Sequence, residues 1–142
     1  MPARPAVPSR RTLLRSAAVV PVAGLGAAAC GPDGGGGAAA APTAPVDLGA
    51  EKEVAEGSAK LYRDHNVVVS RGRDGSLKAY STVCTHAGCA INKLEGTRLV
   101  CPCHGSEFDA RTGEVLHAPA TVPLEELSVE AKGGRIVAGP AA

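Results

Sequence analysis

From Val46 onward the apolar positions never settle into a helical repeat. Short apolar runs alternate with polar ones and are cut by turn residues. "AKLYR" (59–63) and "NVVVS" (66–70) read as strands. "RDG" (73–75) reads as a hairpin turn with Asp-Gly at its centre. "LKAYSTV" (77–83) alternates and runs directly into Cys84, and "TRLV" (97–100) runs into Cys101 after an "EG" turn at 95–96. "EFD" (107–109) and "EVLH" (114–117) flank the turn "ARTG", while "EELSVEA" (125–131) and "RIVAG" (135–139) flank "KGG". The pattern predicts an all-β domain of short antiparallel hairpins, a small sandwich or open barrel. Two cysteine-bearing loops each leave the end of a strand, so strands can hold them together.

Composition narrows where that domain lies. Residues 31–45, "GPDGGGGAAAAPTAP", hold Gly, Ala and Pro with one Asp and one Thr, and read as a flexible tether. The expected organisation is a leader over 1–29, a tether over 30–45 and one domain over 46–142. A domain that small has a thin core. Here the chain has no Trp, and its aromatics are Tyr62, Tyr80 and Phe108, so a disulfide or a bound metal is an expected supplement.

Charge changes the picture at the N-terminus. Arg4, Arg10, Arg11 and Arg15 precede residue 30 with no acid beside them; without them, 11 basic residues face 14 acidic ones. No basic patch or stacking aromatic surface points to nucleic acid. "SRRTLLR" (9–15) is followed by an uncharged run from Ser16 to Pro32, the make-up of an export signal. The Arg pair with Ser9 and Leu13-Leu14 resembles a twin-arginine signal. The run is at the lower limit for a membrane span and is broken by Pro21, Gly24 and Gly26. Ala27-Ala28-Ala29 suits signal cleavage. Cys30 before the tether resembles a bacterial lipoprotein start, with Ala27 departing from the Leu that such motifs prefer. On either reading the domain works on the extracytoplasmic face of the membrane, where disulfides persist.

The chemistry is concentrated in residues 84–105, "CTHAGCAINKLEGTRLVCPCHG". Cys84 and His86 are two residues apart; Cys101 and His104 are three apart, around Pro102. Each half carries one further cysteine, Cys89 or Cys103. Three readings compete. The two Cys/His pairs hold a tetrahedral zinc, which leaves two cysteines unexplained. Alternatively the four cysteines form two disulfides in one of three pairings, which leaves the histidines incidental. In the third, two Cys and two His hold a 2Fe–2S cluster and the other two cysteines are bridged, which accounts for all six.

"CTHAGC" and "CPCHGS", with 14 residues between His86 and Cys101, resemble the two boxes of the Rieske iron–sulfur proteins. The similarity is to the disulfide-containing branch found in quinol-oxidising cytochrome bc complexes. The resemblance implies that Cys84 and Cys101 bind one iron, that His86 and His104 bind the other, and that Cys89 and Cys103 clamp the loops. It also implies a reduction potential far above that of all-thiolate ferredoxins, and electron uptake coupled to proton uptake at alkaline pH.

Hydrogen bonds to the sulfurs tune such a potential. In the family's high-potential members a Ser after the second box and a Tyr two residues on supply hydroxyls. Ser106 is present, but Phe108 stands at the Tyr position, which implies a lower potential. The family's cover loop corresponds to "HAPATVP" (117–123), with Pro119, Ala120 and Pro123 as a stiff lid and His117 near the expected Gly. His117 reads as a loop surface residue and His65 as a turn residue. "EKE" (51–53) and "EE" (125–126) read as solvated faces.

Together these features predict an exported, tethered one-electron carrier without an organic-substrate site of its own. Its partners are redox proteins: a quinol-oxidising cytochrome bc complex with a c-type haem acceptor, or another extracytoplasmic oxidoreductase. The rival from another class is a zinc-stapled structural binding module.

Overall fold

The computed structural model describes residues 38–142; the stretch read as an export signal, Cys30 and the start of the stretch read as tether lie outside the described residues. Ten strands follow in chain order: β1 (Val46–Ala50), β2 (Ala59–Tyr62), β3 (Val67–Arg71), β4 (Leu77–Ser81), β5 (Lys93–Glu95), β6 (Arg98–Val100), β7 (Glu107–Asp109), β8 (Val115–His117), β9 (Glu126–Lys132) and β10 (Arg135–Pro140). They form a six-stranded sheet in the order β1-β10-β9-β4-β3-β2 and a four-stranded sheet β5-β6-β7-β8. Every pairing between named strands is antiparallel. The all-β expectation is met, and the hairpins fall where the turn residues place them. β9–β10 turns over two residues, Gly133 and Gly134, which both hold positive φ, 59° and 77°. That geometry suits the right-handed twist of the flanking strands and is costly for residues with a Cβ.

Strand β3 explains the division of the core. It is buried from Val67 to Ser70, between β4 and the edge strand β2, and is covered on both faces. Because side chains alternate, Val67 and Val69 join Leu48, Val54, Ala79, Leu127, Ile136 and Ala138 in one apolar cluster. Val68 points the other way, with Tyr80, into a second cluster that contains Cys84, Ile91, Leu99, Cys101, Phe108 and Leu124. The second cluster joins the two sheets and is the floor of the cysteine loops. Phe108 is fully buried there, which is worth roughly 1.5–3 kcal/mol for a side chain of this kind.

The structure adds two strands to the expected set. β1, "VDLGA", pairs with β10 across a register shift between Asp47 and Gly49, so it lacks a clean alternation. β5, "KLE", is three residues in the region between the cysteine boxes and exists through its pairing with β6. The stretch read as tether is laid against the domain from residue 39. The Ala39 N–H donates to Gly88 O at 3.2 Å, and Asn66 Nδ2 donates to Ala40 O at 2.9 Å.

Candidate metal centre

Three loops converge at one end of the four-stranded sheet: residues 82–92 after β4, residues 101–106 between β6 and β7, and residues 118–125 between β8 and β9. The first two are closed by the same hydrogen bonds. In the first, Cys84 N–H donates to Cys89 O at 2.8 Å and Gly88 N–H to Cys84 O at 2.8 Å. In the second, Cys101 N–H donates to Ser106 O at 2.8 Å and Gly105 N–H to Cys101 O at 3.1 Å. Each turn therefore has a Cys at its first position and a Gly four residues on. Gly88 and Gly105 sit at φ 74° and 77°, and an added Cβ would meet nothing within 4 Å at either. The glycines are needed for backbone conformation, not for space.

Superposing the two turns by this closure shows how the roles differ. Cys84 matches Cys101, the sixth-position Cys89 matches Ser106, and Cys103 falls where the first turn has His86. The bridge joins unlike positions of two like turns: Cys89 and Cys103 form a disulfide with Cα atoms 6.6 Å apart. The pairing implied by the sequence resemblance is the one present.

Cys84 and Cys101 remain free thiols, 2% and 1% exposed. Burial pushes the Cys101 thiol up from its ordinary value. The backbone N–H groups of Cys103 and His104 bond its sulfur and act the other way, and the neighbouring Cys84 thiol adds to the upward push. A buried thiol beside a second one, with amides aimed at its sulfur, is poorly placed as a free anion and well placed as a metal ligand. On the solvent side, the rings of His86 and His104 are exposed, with centroids 4.8 Å apart and planes at 82°. The donors thus separate into a buried sulfur pair and an exposed imidazole pair.

Their spread also bears on the kind of metal. Among the described residues, the three metal-binding side chains within 4.8 Å of one another are Cys89, Cys101 and Cys103, and two of these are spent on the disulfide. Cys84, His86, Cys101 and His104 do not gather into such a group. Around one tetrahedral zinc, with bonds of about 2.0–2.3 Å, no two ligands can lie much beyond about 4.6 Å apart. Two sulfurs inside and two nitrogens outside fit a pair of metals better than a single ion.

The cover loop is fastened to both turns. Ser106, fully buried, accepts the Ala120 N–H on its Oγ at 3.0 Å, which leaves its own O–H free to donate. Thr85 Oγ1 donates to Val122 O at 2.6 Å. Pro119 lies just before Ala120 and is exposed. Sequence reasoning singled out Ser106 and Pro119 but passed over Thr85, whose signal is a hydroxyl inside the first box. His117 is exposed on β8, opposite Glu107.

The family model of the Rieske [2Fe-2S] domain matches residues 44–128. The chain belongs to the Rieske domain family. Its cofactor is accordingly a 2Fe–2S cluster, and the cysteine and histidine set described above fits that group. This Rieske chain is 35% identical over 96 residues to the cytochrome b6-f complex iron-sulfur subunit of Chlorobaculum thiosulfatiphilum, covering 65% of this chain and 51% of that one. The chain spans about half the length of the curated relatives it matches first. Among solved structures it resembles the plasma membrane Rieske protein PetC3 of Synechocystis PCC 6803, with TM-score 0.53 and 34% identity, over 66% of this chain and 97% of that one. It also resembles the ferredoxin of carbazole 1,9a-dioxygenase from Nocardioides aromaticivorans IC177, with TM-score 0.50 and 28% identity, over 70% of this chain and all of that one.

Proposed function

We propose that this Rieske protein is an exported one-electron carrier, held at the extracytoplasmic face of the membrane, that exchanges electrons through the edge formed by His86 and His104. In this reading Cys84 and Cys101 hold one iron and His86 and His104 the other. The bound cluster supplies a one-electron couple at a potential set by its mixed ligands. The observation that carries the reading is the split of the donor set, two buried thiols beneath two exposed imidazoles. The buried sulfurs are shielded from water, while the imidazole edge is open to a partner.

The partner is a redox protein. Similarity to a cytochrome b6-f subunit favours a quinol-oxidising cytochrome complex with a c-type haem acceptor. Similarity to a whole ferredoxin of a dioxygenase favours service as a carrier to another oxidoreductase. Membrane attachment rests on the N-terminal sequence alone. No helix among the described residues is long and apolar enough to cross a membrane. Fractionation of cells expressing the full chain tests this. Protease-accessible protein in the membrane fraction is expected, with cytoplasmic accumulation when Arg10 and Arg11 are both replaced by Lys. Release by Cys30→Ser would identify the lipid as the anchor. Unimpaired export of the double Arg variant would sink the twin-arginine reading.

Phe108 bears on the potential. It is fully buried in the same apolar cluster as Cys84 and Cys101. A Phe108→Tyr hydroxyl donating to a ligand sulfur or a bridging sulfide would stabilise the reduced form. A hydrogen bond worth about 0.5–1.5 kcal/mol corresponds to an upshift of roughly 20–65 mV for a one-electron couple. An unchanged or lowered midpoint potential in protein film voltammetry would contradict this role for the position.

A further inference from the structure

Three sulfurs crowd one place between the two cysteine turns. The Sγ atoms of Cys89, Cys101 and Cys103 all lie within 4.8 Å of one another. Cys89 and Cys103 share the disulfide, while Cys101 is a free thiol. A thiol beside a disulfide is the reactant pair for exchange, in which a thiolate attacks one sulfur and expels the other. We propose that Cys101 and the bridge form an exchange switch: when the cluster is lost, Cys101 displaces Cys103 from Cys89, and the new Cys89–Cys101 bridge closes the site against metal.

Three observations carry the proposal. The first is reach. All three cysteines lie in the two turns, within residues 82–92 and 101–106. Closing the gap to the about 2.05 Å of an S–S bond therefore moves loop residues and leaves the strands in place. The second is direction. Cys101 is 1% exposed, Cys89 is half-buried and Cys103 is exposed. Attack on the Cys89 sulfur expels Cys103, whose thiolate water can solvate. Attack on the Cys103 sulfur would expel Cys89 into a drier place and close the short Cys101-Pro102-Cys103 ring. A better-stabilised leaving thiolate departs faster. The third is the balance between the two bridges. The present bond closes a sequence separation of 14, and the new one closes a separation of 12. Loop-closure entropy changes little over so small a difference, and both bonds join the same two turns. The exchange keeps the clamp and replaces a buried thiol by an exposed one.

The step needs no oxidant or reductant. The Cys101 S–H gives up its proton, and the Cys89–Cys103 bond breaks as the Cys89–Cys101 bond forms. The Cys103 sulfur leaves with the electron pair and takes up a proton, so one disulfide and one thiol remain among the three residues. Cys84, the other buried thiol, lies outside this group and is unchanged. Its partner in the buried sulfur pair is then spent on the bridge. Cys103 falls where the first turn has His86 and is exposed, so it does not restore the pair. Commitment of the Cys101 sulfur to iron opposes the exchange; that lock, unlike the exchange itself, rests on Cys101 being a cluster ligand as proposed above. Loss of the cluster is thereby self-sealing, and the released Cys103 thiol reports it.

Disulfide mapping of the full chain tests the switch, in a Cys30→Ser background that removes the fifth cysteine. One half of a cluster-loaded sample is stripped of iron by a chelator under anaerobic conditions, and the other half is left loaded. Both are held for hours, the range of uncatalysed disulfide rearrangement, then acid-quenched, alkylated and digested. Fragmentation at the Cys101–Pro102 bond separates a label on Cys101 from one on Cys103. The loaded half should keep the Cys89–Cys103 bridge. The stripped half should show the Cys89–Cys101 bridge, with Cys103 labelled at least tenfold more than in the loaded half. In a Cys101→Ser chain treated alike, Cys103 should stay unlabelled. A stripped parent that keeps the Cys89–Cys103 bridge, or forms a Cys101–Cys103 bridge, overturns the proposal. So does equal exchange in the loaded half, which would show that iron is no lock. Bridges that include Cys84, with loss of the strand signal in far-ultraviolet circular dichroism, overturn it too, because they mark scrambling in an unfolded chain. The iron content of Cys101→Ser protein tests the ligand assignment separately, so the two failures are distinguishable.

Discussion

Cys101→Ser is expected to yield a colourless protein that retains little iron. The thiol is 1% exposed, receives the N–H groups of Cys103 and His104, and neighbours the second buried thiol of Cys84. A serine oxygen there keeps those amides partnered but is a far weaker thiolate substitute, because an alkoxide in a buried site is costlier than a thiolate. Loss of an outer-sphere partner to a metal ligand alone costs about 10–100-fold in affinity, so removal of a proposed ligand should exceed that. The strands should persist, since the apolar cluster built on Val67, Val69, Leu127 and Ile136 does not include Cys101. Iron analysis and visible absorbance check the loss of the cluster, and far-ultraviolet circular dichroism checks that the sheets remain. A coloured Cys101→Ser protein with full iron content would remove Cys101 from the ligand set.

Breaking the Cys89–Cys103 bridge should have the next largest effect. The bond spans a sequence separation of 14 and joins the two turns that present the donors. Closing a loop of about this length is worth roughly 3 kcal/mol through the unfolded state. In a domain of this size that corresponds to a fall of roughly 10–20 °C in Tm. The double variant Cys89→Ser/Cys103→Ser is the clean test, because it leaves no unpaired thiol to compete for metal. Its cluster should be lost faster on warming, since Cys84 and His86 are then tied to Cys101 and His104 through the cluster and the cover loop. Treating the parent protein with reductant should reproduce the effect. Equal melting temperatures with and without the bridge would show that the β-framework alone holds the turns.

The structure also shows which parts of this protein are visible in one dimension. The cysteine boxes were legible because each packs a proposed Cys/His ligand pair, a glycine and a bridge residue into six positions, and this density has few alternative explanations. The β3–β4, β7–β8 and β9–β10 hairpins were legible from alternation interrupted by turn residues. β1 was not, because Asp47, Gly49 and a register shift break its alternation. β5 was not, because a three-residue strand carries no period and depends on β6 for its existence. The docking of residues 39 and 40 on Gly88 and Asn66 uses backbone groups that every residue carries, so Gly/Ala-rich composition gave no sign of it. Thr85 was hidden for a related reason: its partner, Val122 O, lies 37 residues away.

Glycine spacing offered a further clue that the boxes share one turn. Gly88 and Gly105 each follow a buried free cysteine by four residues, and both occupy the left-handed conformation that closes the loop. That repeat accounts for Ser106. It takes the position that Cys89 holds in the first turn, and there its hydroxyl anchors the cover loop.

The most direct measurement is a redox titration of the intact protein across pH, monitored by electron paramagnetic resonance. The expected outcome is a one-electron signal appearing on reduction, at a midpoint between about −150 and +300 mV. That midpoint should fall at alkaline pH with a slope approaching about 59 mV per pH unit for each proton taken up. A colourless protein with one bound zinc would rule out the electron carrier. A pH-independent couple near about −400 mV would rule out histidine ligation by His86 and His104.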